Sequence, residues 1–234
     1  MNKMKRSEIN ALIKGAEKFV KSRGFLLPPF AYWTPGVWKK KGHEADEIRN
    51  NMLGWDISDF GSGEFSKMGL ILFTIRNGNL KNKKDSRHYA EKILIIDQGQ
   101  SAPWHFHWHK TEDIINRGGG VLVIELAWAT SDEKALDKNR QVVVSTDGVK
   151  RKVAPLGKVE LAPGESITLP HHLYHTFWGK PGKGMILVGE VSNVNDDTID
   201  NRFLTPAVRF MELDEDEKPY RLLSNEYPKP RTKK

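Results

Sequence analysis

The sequence predicts an all-β fold, an antiparallel barrel or jelly-roll-like sandwich, with one α-helix in front of it. Three observations carry this. From about residue 68 onward the apolar residues fall in short runs separated by turn signals. Helical periodicity is confined to one stretch near the amino end, and few residues behind the last strand suggest further helices.

Taken in order, Ile9, Leu12, Ile13, Ala16, Phe19 and Val20 recur at helical spacing between Ser7 and about Arg23. Ser7 is placed to cap this helix and Gly24 to stop it. "LLPPFAYWTPGVW" holds too many prolines for regular structure and reads as an ordered aromatic connection, with Trp33 and Trp38 as packing residues. "MGLILFTIRNGNL", "AEKILIIDQGQ" and "GGGVLVIELAWAT" each read as a strand with a turn beside it. "QVVVSTDGVKRKVAPLGKVELAPGESITLP" carries two hairpin signals, Asp147-Gly148 and Pro163-Gly164, and "GMILVGEVSNV" is the last apolar strand.

At 234 residues one domain is the expectation. There is no cysteine, so disulfides, thiolate metal sites and a cysteine nucleophile are excluded, and any metal must be held by His, Asp or Glu. No apolar run is long enough to span a bilayer and the amino end has no apolar signal region, so a cytoplasmic protein without a membrane partner is expected. The net charge of +7 invites a nucleic-acid reading. Lys3, Lys5 and Arg6 at one end and Lys229, Arg231, Lys233 and Lys234 at the other account for all of it, leaving residues 7 to 227 formally neutral. No nucleic-acid partner is expected, and the cluster "NLKNKKD" reads as a solvated loop.

The chemistry is concentrated in "APWHFHWHKTED". On a strand, His105 and His107 project to the same side, and imidazole is the commonest metal ligand. Glu112 has the opposite parity and joins them only if His109, Lys110 and Thr111 form a turn. A helix would instead bring together His105, His109 and Glu112, but Pro103 and the flanking strands favour the extended reading.

Gly99, five residues, His105, one residue, His107, four residues, Glu112, six residues and Gly119 together match the first signature motif of the cupin superfamily. Gly164, Pro170 and His175 in "PGESITLPHHLYHTFWG" resemble the second, with His172 where that pattern has glycine and Gly179 where it has asparagine. The resemblance implies a cupin-type barrel with His105, His107, Glu112 and His175 as metal ligands. His171 and His172 remain competitors for the fourth place, and the proline to histidine distance favours His175. Such a set leaves about two positions open in octahedral geometry.

"WHFHWHKTEDIINRGGG", "LPHHLYHTFWG" and "GEVSNVNDDTIDNRF" further resemble the cupin-type D-lyxose isomerases, over most of the chain from the first helix to about Phe210. This resemblance implies a Mn²⁺-preferring site, a homodimer, and interconversion of D-lyxose with D-xylulose and, in many members, of D-mannose with D-fructose. The ligand set suits Fe²⁺, Co²⁺ and Zn²⁺ as well as Mn²⁺. The domain expected is 1–227, a single cupin domain with a helical extension, followed by a basic tail, 228–234, unsuited to packing.

Such an isomerase needs an acid and a base beside the metal. Lys110 lies between the ligands, and Glu190 interrupts an apolar strand where an acid is expensive unless it faces a site. Glu125 in "VLVIELAW" is the rival carboxylate. Asp197, Asp200 and Arg202 in "NDDTIDNRF" suit recognition of sugar hydroxyls. The alternatives are an Fe(II)-dependent cupin dioxygenase, which would use the same ligands, and a non-enzymatic sugar-binding cupin. A phosphosugar isomerase would need a phosphate cradle, and the "RGGG" at Arg117 to Gly120 reads as a turn into a strand.

Overall fold

The computed structural model describes residues 3–82, 84–196, 199–208 and 212–231. In chain order the elements are β1 (Met4–Lys5), α1 (Arg6–Ser22), a 3-10 turn at Pro29–Tyr32, α2 (Pro35–Trp38) and α3 (Asp46–Asn50). The strands β2 (Gly54–Ser58), β3 (Leu70–Asn77), β4 (Tyr89–Ile96), β5 (His105–His107), β6 (Glu112–Gly119) and β7 (Leu122–Trp128) follow. Next come β8 (Val142–Thr146), β9 (Val149–Val153), β10 (Gly157–Leu161) and β11 (Ser166–Leu169). The series ends with β12 (Leu173–Gly179), β13 (Ile186–Asn193), β14 (Asn201–Phe203) and β15 (Leu213–Asp214).

Two antiparallel sheets make the barrel, one ordered β2-β3-β4-β13-β6-β11-β8-β9 and the other β10-β7-β12-β5-β14. Their facing sides bury one core, with Leu72, Leu94, Ile114, Val188 and Ile167 from the first sheet and Ile124, Leu126, Leu173 and Phe177 from the second. A second core lies behind the first sheet. There Ile9, Ile13, Ala16 and Val20 of α1 pack on Trp55, Ile71, Phe73, Ile93 and Ile95. Burial on both faces explains why "LILF" and "ILII" are continuous apolar runs rather than alternating ones. Each such fully buried Ile or Phe contributes about 1.5–3 kcal/mol.

Several expectations are corrected. Ser7 does not cap α1 through its own side chain; its N–H and Oγ donate to the two carboxylate oxygens of Asp216 at 2.9 and 2.7 Å. That acid, from the other end of the chain, stands at the positive end of the helix. The proline-rich connection is partly regular, since it holds the 3-10 turn and α2, with Trp38 buried and stacked on Tyr227. Asp147-Gly148 does close a hairpin, β8 with β9. Pro163-Gly164 does not: β10 pairs with β7 and β11 with β6, so that turn passes the chain from one sheet to the other. β2 had no counterpart among the expected strands.

The carboxyl-terminal segment returns along α1. β15 pairs in parallel with β1, Arg6 is buried between Glu215 and Glu226, and Asn10 and Glu17 bind Glu217, Tyr220 and Arg221. The segment expected as an unpacked tail is tied down where it is described: Pro228 O accepts from Arg49 Nε at 2.8 Å, and Arg231 N–H donates to Lys41 O at 3.0 Å. Residues 232–234 lie outside the described residues.

Candidate active site

Strand parity delivers the site. On β5, His105 and His107 face the barrel interior, and His175 on β12 is in register with His105. One ring nitrogen from each of His105, His107 and His175 lies within 4.8 Å of the other two. From the opposite sheet Glu112, the first residue of β6, reaches across: Oε1 is 3.1 Å from His175 Nε2 and Oε2 is 3.4 Å from His107 Nε2. The four residues expected as ligands are therefore brought together, with the turn at residues 108–111 reversing the parity of Glu112.

The imidazoles are oriented by backbone carbonyls. Nδ1 of His105 bonds Pro103 O at 2.9 Å, Nδ1 of His107 bonds Asp200 O at 3.2 Å, and Nδ1 of His175 bonds Leu173 O at 3.0 Å. A carbonyl can only accept, so this network assigns the proton of each neutral ring to Nδ1 and leaves the Nε2 lone pair inward. His175 Nε2 is buried and makes no hydrogen bond, although Glu112 stands close. Desolvation, aided by the His175 and His107 rings, pushes the His105 pKa well below its ordinary value, keeping that ring neutral. Burial opposes ionisation of Glu112, yet the charges of Lys110 and His107 prevail and hold its carboxyl well below the usual range. Three imidazoles that turn Nε2 inward, one of those nitrogens without a hydrogen bond, and a carboxylate held ionised form a donor set that fits a divalent cation.

His172 is not part of the set. Its ring is 40% exposed and lies 3.2 Å from Glu133 Oε1. Its backbone has φ of 60°, the left-handed region that explains a glycine at this place in the family pattern. His171 is exposed. Gly179, where the pattern has asparagine, has its own reason: a Cβ there would stand 2.5 Å from Asp97 O.

Beside the ligands lies a buried charge cluster. Lys110 Nζ is 2.8 Å from both Glu112 Oε2 and Glu190 Oε1. Glu190 faces the interior of β13 with Ile186 and Val188, whereas Glu125 alternates with the core residues Ile124 and Leu126 and faces away from the cavity. Lys92, in register with Glu190 across β4 and β13, approaches its Oε1 at 3.3 Å and donates to Asn195 Oδ1 at 2.6 Å. Lys92, His105, His107, Lys110, Glu112, Glu190, Asn201 and Phe203 line one cavity.

Of the residues expected to bind sugar, Asp200 and Arg202 do not line this cavity. Asp200 is buried, and its carboxylate accepts the backbone N–H of His109 at 2.9 Å and of Lys110 at 3.1 Å, so it braces the ligand turn. Arg202 pairs with Phe106 on β14 and points away from the cavity, while its neighbours Asn201 and Phe203 pair with His107 and His105 and face it. Asp197 lies outside the described residues. Lys92, Asn195 and Asn201 are the site residues that sequence reasoning missed. A lysine interrupting "AEKILIID" was a usable signal, by the logic already applied to Glu190.

The family model for D-lyxose isomerase matches residues 4–227. A D-lyxose/D-mannose isomerase of Escherichia coli O157:H7 is 46% identical over 225 residues, covering 96% of this chain and 98% of the relative. One from Serratia proteamaculans is 44% identical over the same shares of the two chains. Among solved structures, an L-ribose isomerase variant from Acinetobacter sp. DL28 in complex with L-ribose superposes with a TM-score of 0.61 at 16% identity, covering 91% of this chain and 98% of that one. The L-ribose isomerase of Geodermatophilus obscurus gives a TM-score of 0.59 at 15% identity, covering 92% of this chain and all of the other. At such identities these two likenesses establish a shared fold and nothing further.

Proposed function

The chain belongs to the D-lyxose isomerase family and is an aldose–ketose isomerase, and from that premise we propose that it interconverts D-lyxose with D-xylulose, and D-mannose with D-fructose, through an enediol, with a divalent ion held by His105, His107, Glu112 and His175. The observation that carries this reading is the adjacency of the inward imidazole set to the ion-paired Lys110 and Glu190. Membership of an isomerase family sets aside the dioxygenase and the non-enzymatic cupin. Mn²⁺ is the ion proposed, on the family resemblance, with Fe²⁺, Co²⁺ and Zn²⁺ as alternatives the same donors accept. When bound it would supply Lewis acidity to the carbonyl and neighbouring hydroxyl oxygens of the sugar.

The chain's own groups then do the proton work. Glu190, held on Lys110 at 2.8 Å, takes the proton from C2 of the aldose as its carboxylate and returns it to C1. Lys110 bridges Glu190 and Glu112, and in this reading its ammonium gives a proton to O1 and takes one from O2. Asn201 and Phe203 offer a hydrogen-bonding group and an apolar wall to the sugar. The low exposure of the cluster keeps water from competing for the enediol. A homodimer, a cytoplasmic location, a single domain over 1–227, and no nucleic-acid or membrane partner complete the reading. No helix among the described residues is long and apolar enough to cross a membrane.

The test is to incubate metal-replete, chelator-stripped and Mn²⁺-restored protein with D-lyxose and with D-mannose and to measure ketose. Ketose should form, vanish on stripping and return with Mn²⁺. Undiminished turnover by protein shown to be metal-free would overturn the metal assignment, and no ketose from either sugar would overturn the substrate assignment.

A further inference from the structure

We propose that Asn195 is a positioning residue for proton transfer, holding the ammonium groups of Lys92 and Lys110 in one arrangement around Glu190. This rests on the reading of Lys110 and Glu190 as the proton-transfer pair.

Four polar atoms close a ring. Lys110 Nζ donates to Glu190 Oε1 at 2.8 Å and to Asn195 Oδ1 at 3.2 Å. Lys92 Nζ donates to the same Asn195 oxygen at 2.6 Å and lies 3.3 Å from the same Glu190 oxygen. Two cations thus alternate with two oxygens, and one of those oxygens is a neutral carboxamide. Neither Lys92 nor Lys110 exceeds 3% exposure, so their repulsion is weakly screened and needs acceptors between them.

The carboxamide does not hold this place by itself. Asn195 N–H donates to Asn77 Oδ1 at 2.9 Å, and Asn77 Nδ2 donates to Asn195 O at 2.8 Å, so one side chain holds both backbone polar groups of Asn195. Asn77 is itself buried at the end of β3, where Asn51 Nδ2 donates to its carbonyl at 2.8 Å. A rigid strand end therefore fixes where the Asn195 oxygen stands, and through it where the Lys110 ammonium stands. Loss of that oxygen removes one of the acceptors that hold the Lys110 ammonium between Glu190 and Glu112, and shifts it relative to Glu190. Misplacement of a reacting group by about 1 Å can cost about 10²-fold in rate.

The experiment compares Asn195→Leu, Asn195→Asp, Asn77→Ala and Lys110→Ala in the full chain, reading bound Mn²⁺, melting temperature, and kcat and KM on D-lyxose. Asn195→Leu should keep metal and fold but lose about 10²-fold in kcat with KM within roughly threefold. Asn195→Asp restores an acceptor for both lysines and should recover at least about tenfold of that loss, short of full activity because of its added charge. Asn77→Ala should lower kcat in the same way, and combining it with Asn195→Leu should add little to the loss. An Asn195→Leu protein with native kcat beside an inactive Lys110→Ala overturns the inference alone, as does a change confined to KM, which would make Asn195 a sugar contact. Additive losses at 77 and 195 overturn the clamp. Should Asn195→Leu fail to fold, Asn195→Asp and Asn77→Ala decide the matter: native kcat in Asn77→Ala overturns the inference. Native kcat in Lys110→Ala removes the proton-transfer reading and this inference with it.

Discussion

Replacing Asp200 by alanine separates two jobs that one carboxylate can do. As a sugar ligand it would govern KM; as a brace of the ligand turn it governs metal binding. Its oxygens accept from the backbone amides of His109 at 2.9 Å and Lys110 at 3.1 Å, two residues after His107 and two residues before Glu112. A hydrogen bond to a charged acceptor contributes about 1.5–3 kcal/mol. His109 is exposed, so its amide finds water when the carboxylate is removed; Lys110 is 3% exposed, and its amide does not. One bond is thus lost in full, and a destabilisation of about 2 kcal/mol follows. Loosening the turn uncouples Glu112 from the histidines, and loss of such a supporting group typically weakens metal binding by about 10–100-fold. Titrating stripped Asp200→Ala with Mn²⁺ by calorimetry, alongside a thermal melt, measures both quantities. Wild-type affinity for the ion combined with a raised KM for D-lyxose would refute the bracing argument and restore Asp200 as a sugar ligand.

His175→Ala should lose stoichiometric Mn²⁺ whereas His172→Ala should retain it, because only His175 turns its Nε2 towards the other imidazoles; elemental analysis of the purified variants decides between them. Glu190→Gln should keep its metal and lose kcat by about 10²-fold or more, whereas Glu125→Gln on the outer face of β7 should keep wild-type kcat. Arg6→Met leaves Glu215 and Glu226 without their cation. A buried pair broken this way costs about 3–5 kcal/mol. Since these carboxylates are 56% and 22% exposed, the loss should be nearer 2 kcal/mol, about 4–8 °C in a thermal melt. Removing the first six residues should therefore destabilise the protein, contrary to what the neutral body alone suggests, and an unshifted melt would show the ion pairs to be idle. Acidification should weaken the metal-stripped fold. The unfolded His105 takes up a proton below its ordinary 6.5 while the folded ring, with a depressed pKa, does not, so stability falls as pH drops below that value. Glu112, also depressed, adds a loss in the same direction only below about 4.5. Urea unfolding at pH 7 and pH 5 checks this, with a shallower dependence expected in His105→Phe and an equal one counting against it.

What the sequence made legible was what depends on short range. The two-residue period put His105 and His107 on one face, and the turn residues after them allowed Glu112 to cross parity. Apolar runs revealed β3, β4, β7 and β13 because burial on one or both faces leaves a compositional trace. The strap along α1 left no such trace. Its contacts, such as Arg6 with Glu215, join residues 209 apart and look like solvated charge when read locally.

The stretch "NDDTIDNRF" shows where local reading stops. β14 is three residues long, and which of Asn201 and Arg202 faces the cavity depends on its pairing with β5, where a shift of one residue exchanges the two faces. Composition favoured the charged residue; register selected the amide. Lys92 and Glu190 show the opposite case, in which register makes a charge informative. They stand opposite each other on β4 and β13, two strands otherwise rich in buried Ile, Leu and Val. An ion there is costly unless a counter-ion faces the same side of a neighbouring strand. A lone charged residue in an apolar strand therefore predicts a partner two to four residues in from the end of another such strand. In this chain that search joins "AEKILIID" to "MILVGEVSNV" and places Lys92 beside Glu190.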